Sequence, residues 1–189
     1  MKYLNDLNKK FLELDSIRES LIRKSRDVVK SSKEVIGLVH RDKFLEAETS
    51  INNMKKLLGE LHSLANDNPK FSFSGSVKIA EQEFVEAITL FEFLSTKKIS
   101  TGEELGVNEE YYLMGLCDLC GELTRKAVNS VIAENYSLVL EIKDFITQLH
   151  EDLELFSLSG ELRKKFDSIK YHLSKLEDIV LRLKLSDKI

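Results

Sequence analysis

Tryptophan is absent from this 189-residue chain, and proline occurs once, at Pro69. With so little of the residue that breaks helices, long uninterrupted ones are open to it. Cysteine occurs twice, at Cys117 and Cys120. No second CxxC or Cys/His pair is present to complete a four-ligand zinc site, and two thiols without an extracellular context suit a reducing compartment. No apolar run approaches the roughly 20 residues needed to span a bilayer. The amino terminus runs straight into charged, periodic sequence rather than a cleavable signal. Together these absences predict a cytoplasmic protein without a membrane partner. No nucleophile elbow, Gly-rich phosphate loop or HExxH appears. Nor is there sustained period-two alternation or a fixed-spacing repeat, so a sheet or a solenoid is not expected. A net charge of -4 argues against indiscriminate nucleic-acid binding over the whole surface, but leaves room for a local basic patch.

What the chain does have is charge, 32% of it, threaded through long amphipathic segments. Apolar residues at three- and four-residue steps predict helices over about Lys2 to His40, Asp42 to Asn66, Ser76 to Thr96, Tyr111 to Ser130, Ser137 to Phe156 and Glu161 to Lys184. The stripe of the first runs Leu4, Leu7, Phe11, Leu14, Ile17, Leu21, Val28, Val35, and its length invites curvature or a coiled-coil partner. The second is expected to bury Phe44, Leu45, Ile51 and Met54 and to end at ANDNP, before a loop KFSFSGS. The link KKISTGEELGV has the makings of a short helical turn, and Asn108 is a good cap for the helix after it. The prediction is an all-α protein, a single domain over 1–189, built as a bundle of about six long antiparallel helices.

The most information-dense stretch is YYLMGLCDLCGELTRKAVNS, Tyr111 to Ser130. Gly115 and Gly121 sit mid-helix, where each costs about 1 kcal/mol relative to Ala, so a close approach is expected there. Cys117 and Cys120 lie on the apolar stripe and read as small core residues. His40, His62, His150 and His172 are scattered, with no ligand spacing, and are expected at the surface or at helix ends. That leaves carboxylates as the available chemistry. Asp118 and Glu122 stand one turn apart, as do Glu83 and Glu86 on the preceding helix. Projected at 3.6 residues per turn, Glu83 falls inside the apolar arc, where a carboxylate must be paired, protonated or metal-bound. Asp118 and Glu122 project to a polar side shared with Gly115, Arg125 and Lys126. Oxygen-only ligands suit Mg²⁺ or Mn²⁺, metals of phosphoryl chemistry. The basic run Arg23, Lys24, Arg26, Lys30, Lys33 is either a solvated helix face or a phosphate-contacting strip; the pattern leaves both open.

GLCDLCGELTRKAVNSV, Gly115 to Val131, resembles the signature helix of the translin and translin-associated factor X (Trax) superfamily. RKSRDVVKSSKEVIGLVHR, Arg23 to Arg41, is similar to the basic first helix of Trax, and LRKKFDSIKYHLSKLEDIVLRL, Leu162 to Leu183, to the last helix of translin. QEFVEAITLFEFLSTKKI, Gln82 to Ile99, fills the expected place between them. The resemblance covers almost the whole chain. It implies a right-handed superhelical bundle that assembles as a hollow homo-oligomer, roughly an octamer, handling single-stranded RNA and ssDNA on its inner surface. It also implies Mg²⁺-dependent endoribonuclease activity of the catalytic, Trax-like kind, whose ExxE and DLxGE patterns recur here as Glu83, Glu86, Asp118 and Glu122. Carried over, Glu83, Glu86 and Asp118 hold the metal, and Glu122 is a further ligand or outer-shell base. Lys78 occupies a basic nucleic-acid contact, and Arg23, Arg26 and Arg125 guide the backbone. The segment between the third and fourth helices is short for the family, and no basic nuclear-localisation cluster is visible. Two rival readings accompany this one: a translin-like binding protein without activity, and an all-α nucleoside triphosphate pyrophosphatase.

Overall fold

The computed structural model describes residues 1–71 and 74–189. Of the loop KFSFSGS, Ser72 and Phe73 lie outside the described residues. Among the described residues there are seven α-helices and no strand: α1 Lys2–His40, α2 Phe44–Asn66, α3 Gly75–Thr96, α4 Gly102–Leu105, α5 Glu109–Ile132, α6 Tyr136–Glu154 and α7 Gly160–Leu185, with a 3₁₀ turn at Pro69–Phe71. The all-α class read from periodicity is therefore the observed one, with α4 as the anticipated short turn. No helix of the described residues is long and apolar enough to cross a membrane. The chain forms two compact units, Met1–Phe91 and Glu92–Ile189, with the boundary inside α3.

The first unit is built on a heptad seam. Leu21, Ser25, Val28, Ser32, Val35 and Val39 of α1 are all buried, at alternating four- and three-residue steps, and Ala47, Ile51, Met54, Leu58, Leu61 and Ala65 of α2 repeat the spacing. Two such helices pack as an antiparallel pair, seam against seam. The register shows in Lys24 Nζ to Glu60 Oε2 at 2.7 Å and Ser32 Oγ to Met54 Sδ at 3.2 Å. The turn between them is tight, with Asp42 at a positive φ of 59°.

At 1.5 Å per residue, the 39 residues of α1 run about 58 Å and the 23 of α2 about 34 Å. The amino-terminal part of α1 therefore extends past α2, and its stretch of the seam is open to solvent. Leu4 is 60% and Phe11 58% exposed, beside exposed Tyr3 and Leu12. Periodicity identified this stripe; it did not say that the covering helix stops short. Leu45 and Phe156, both expected inside, are likewise exposed. Each lies in the first turn or just past the last turn of its helix, where the pattern continues but no neighbour remains.

In the second unit α5, α6 and α7 pack on one another as a three-helix bundle. Asp118 meets Lys165, and Gly121 meets His172, so α5 and α7 run parallel, with α6 returning between them. Leu119, Leu123, Ile142, Ile146, Ile169 and Leu176 fill the centre. The caps follow from the sequence. Asn108 Oδ1 accepts from the backbone N–H groups of Glu110 at 3.0 Å and Tyr111 at 3.3 Å. Thr101 and Glu104 close a reciprocal capping box on α4. Ahead of it, the Glu92 carboxylate accepts from both the N–H and the hydroxyl of Ser100, at 2.7 Å each.

Candidate functional site

The Glu pair stands on α3, a helix buried on most sides. Val77, Ala80, Glu81, Gln82, Phe84, Val85, Ala87, Ile88, Leu90 and Phe93 are all buried. The least covered strip of this helix carries Ser76, Ile79, Glu83 and Glu86. Glu83 is therefore not turned into the core as its projection suggested: its side chain retains 24% exposure, with Lys33 Nζ 3.7 Å from Oε1. The carboxylate that is buried is Glu81, 5% exposed, with Oε1 2.9 Å from His62 Nε2. A helix that is apolar almost all round has no sharp apolar arc, so angular projection cannot place one acid among three.

Beside this strip, α1 and the start of α3 enclose an open groove of about 480 Å³. Ile22, Val29 and Ile79 make its floor, and Arg26, Lys30 and Lys33 its rim. Ser25, 4% exposed, turns a buried hydroxyl that has no hydrogen-bond partner among the described residues. Among the described residues Arg26 and Lys30 meet no carboxylate, whereas Lys33 reaches Glu83. Arg26, Lys30 and Lys33 of the basic run are exposed at the edge of this mostly apolar groove, and Lys33 meets Glu83. Arg23 is exposed on the same helix, and Lys78 is half-buried on α3.

The second acid pair lies in the other unit. Both Asp118 oxygens accept from Lys165 Nζ, at 2.6 and 2.7 Å. Glu122 Oε2 lies 3.4 Å from Arg125 Nη1. Neither acid is fully solvated, and the polar side projected for them is narrower than expected, because Gly115 and Lys126 are both buried. Next along the α5–α7 seam comes a smaller groove of about 190 Å³ lined by Gly121, Arg125, Asn129, Tyr171, His172 and Lys175. The close approach expected at Gly121 is not what the structure shows: a Cβ there would lie 3.5 Å from His172 Cε1, an ordinary van der Waals contact.

The histidines are less peripheral than expected. His62 pairs with buried Glu81, and His150 stacks on Phe166 at a centroid distance of 4.9 Å. Burial, aided by Lys175, holds the His172 imidazole below its usual pKa and so in the neutral form at pH 7. The cysteines follow expectation: both are buried and free, and burial followed by the Asp118 charge pushes the Cys117 thiol up to about 12. Such thiols are inert.

Among the described residues, no group of three or more His, Cys, Asp or Glu is gathered to hold a metal ion. Magnesium does not require one. It is commonly bound through one or two carboxylates, with water and substrate phosphate completing the shell.

Long helices presenting two pairs of half-buried carboxylates, each next to a groove with cations at its edge, define an all-α protein suited to polyanionic ligands. The sequence profile of the Translin family matches residues 16–187, and the chain belongs to that family. An uncharacterised protein of Methanocaldococcus jannaschii is 31% identical over 172 residues, 88% of this chain and 76% of that one. Translin of Mus musculus is 27% identical, covering 89% of this chain and 86% of its own, and translin-associated protein X of Rattus norvegicus is 24% identical, covering 88% and 72%. Among solved structures, apo-NeC3PO is 26% identical with a TM-score of 0.88, covering 96% of this chain and 97% of its own. AfC3PO in complex with duplex RNA is 25% identical with a TM-score of 0.88, covering 97% of each chain.

Proposed function

We propose that this chain binds RNA and cuts it as a Mg²⁺-dependent endoribonuclease, working as a homo-oligomer. One observation carries the reading: Arg26, Lys30 and Lys33 edge the groove of α1, and Lys33 Nζ lies 3.7 Å from Glu83. A phosphodiester backbone held by Arg26 and Lys30 is thereby delivered to carboxylate oxygens. A relative of closely similar fold, AfC3PO, was solved with duplex RNA, which supports RNA as the ligand class.

In this mechanism Arg26, Lys30 and Lys33 hold successive phosphates, with Lys78 a further backbone contact on α3. Lys33 offsets the Glu83 charge until RNA arrives and then turns toward phosphate. Glu83 and Glu86 would hold the ion, with water and a phosphate oxygen filling its shell. Asp118, released from Lys165, and Glu122 form the second acid pair. The ion, when bound, supplies Lewis-acid polarisation of the scissile phosphoryl group. Cleavage of a single-stranded RNA by the purified protein in Mg²⁺, and its loss in chelator, is the expected result; equal cleavage in both would end the metal-dependent reading.

Binding without cleavage is the second reading, favoured by the two short bonds that tie Asp118 to Lys165. The same comparison separates them, because this reading predicts RNA retention and no cutting in either condition. Under both, affinity should fall with salt. Four phosphate contacts to a single strand give a log–log slope of about -3, roughly a 50-fold loss between 50 and 200 mM salt. A flat salt response would exclude the groove as the binding surface.

The oligomer is supported by the open seam of α1. Leu4 and Phe11 continue a heptad whose covered part packs a whole helix, so a second copy is the simplest cover for the rest. Phe11→Asp is expected to lower the mass measured by light scattering without unfolding the chain, since Phe11 is 58% exposed. An unchanged mass would place the assembly surface elsewhere.

A further inference from the structure

The groove between α5 and α7 touches the acid pairs only through Arg125, which reaches Glu122, and its chemistry is different. The geometry points to a nucleobase subsite: one unpaired base of a single-stranded RNA stacks on Tyr171, with His172 standing crosswise beside it, while Arg125 and Lys175 take its flanking phosphates. This rests on the RNA reading above and narrows it to strands with unpaired bases.

The lining residues are the parts such a site needs. Tyr171 is 70% exposed, which leaves its ring accessible, and it stands at 74° to His172 with ring centroids 5.7 Å apart. Exposed aromatic rings beside cations are the usual platform for single-stranded nucleic acid, because every base has a π-face. Among the described residues the Lys175 ammonium has no carboxylate partner, and Asn129 offers an exposed side-chain amide to a base edge. Among the described residues Arg125 has only the long 3.4 Å contact to Glu122. Gly121 and Val128 contribute an apolar floor, and Thr124 adds no competing donor because its hydroxyl donates to the Cys120 carbonyl at 2.7 Å.

Position strengthens the case. Arg125 lies seven residues beyond Asp118 on α5, about 10 Å along the axis. A base seated here sits roughly one to two nucleotides from a phosphate at the Asp118–Glu122 pair. A duplex keeps its bases stacked inside and reaches the groove with backbone alone, so the subsite discriminates between strand types.

The test uses fluorescence anisotropy in chelator, to prevent cutting, with a single-stranded RNA, the same strand bearing abasic sites, and the matching duplex. Tyr171→Ala is expected to weaken the intact single strand between about 5- and 100-fold, while leaving the abasic strand, the duplex and the salt slope unchanged. Tyr171→Phe should retain wild-type affinity, since the ring and not the hydroxyl is used. Lys175→Gln should instead reduce the salt slope by about 0.7. Wild-type binding that Tyr171→Ala leaves unaltered, or weakens equally for the duplex, overturns the subsite alone. Absence of RNA binding by the wild type overturns it together with the reading on which it rests. An unchanged urea midpoint for each variant confirms that the fold is intact.

Discussion

Glu86→Ala is expected to abolish RNA cleavage, by about 10³-fold, while leaving the fold and RNA binding in place. Removing one of two carboxylates leaves Glu83 as the only donor in that pair, which weakens the hold on the ion and shifts it relative to the scissile phosphate. Stability should survive because Glu86 is only half-buried. Binding should survive because Arg26, Lys30 and Lys33 remain. The decisive measurement is a cleavage time course beside an anisotropy titration on the same preparation. Retained cleavage removes α3 from the chemistry. Loss of both activities together would mean that Glu86 supports the groove instead of the reaction.

A second large effect concerns the helix that presents the pair. Phe84 is 2% exposed and among the largest fully buried side chains. Phe84→Ala is expected to cost about 3–5 kcal/mol, the lost transfer free energy plus the cavity left behind. Against a total stability of about 5–15 kcal/mol, that is a large share. The urea midpoint should drop accordingly, with cleavage falling as α3 loses its anchor, whereas Glu86→Ala should leave the midpoint near wild type. A cost below about 1 kcal/mol would show that neighbouring side chains close the cavity.

Much of this was legible in advance. The helix limits at His40, Asn66 and Thr96 fall where periodicity and turn residues placed them. The cap at Asn108 acts through local hydrogen bonds that the residue itself encodes. The four acids of the candidate site were put forward from spacing and family resemblance together. What surrounds them was not. Lys33 reaches Glu83 from fifty positions away, and Lys165 reaches Asp118 across forty-seven. Tyr171, His172 and Lys175 form a groove with Arg125 only because α7 lies beside α5.

The sequence by itself determined that this is a chain of long helices in the Translin family, and which acids recur at one-turn spacing. Those properties are local, set by backbone period, capping and side-chain type. The tertiary structure alone decided that Glu81 and not Glu83 is buried, that half of the α1 seam lies open, and that cations stand beside each acid pair. Such outcomes depend on which helix covers which face, and that is fixed by packing between segments far apart in the chain, where the helical period carries no information.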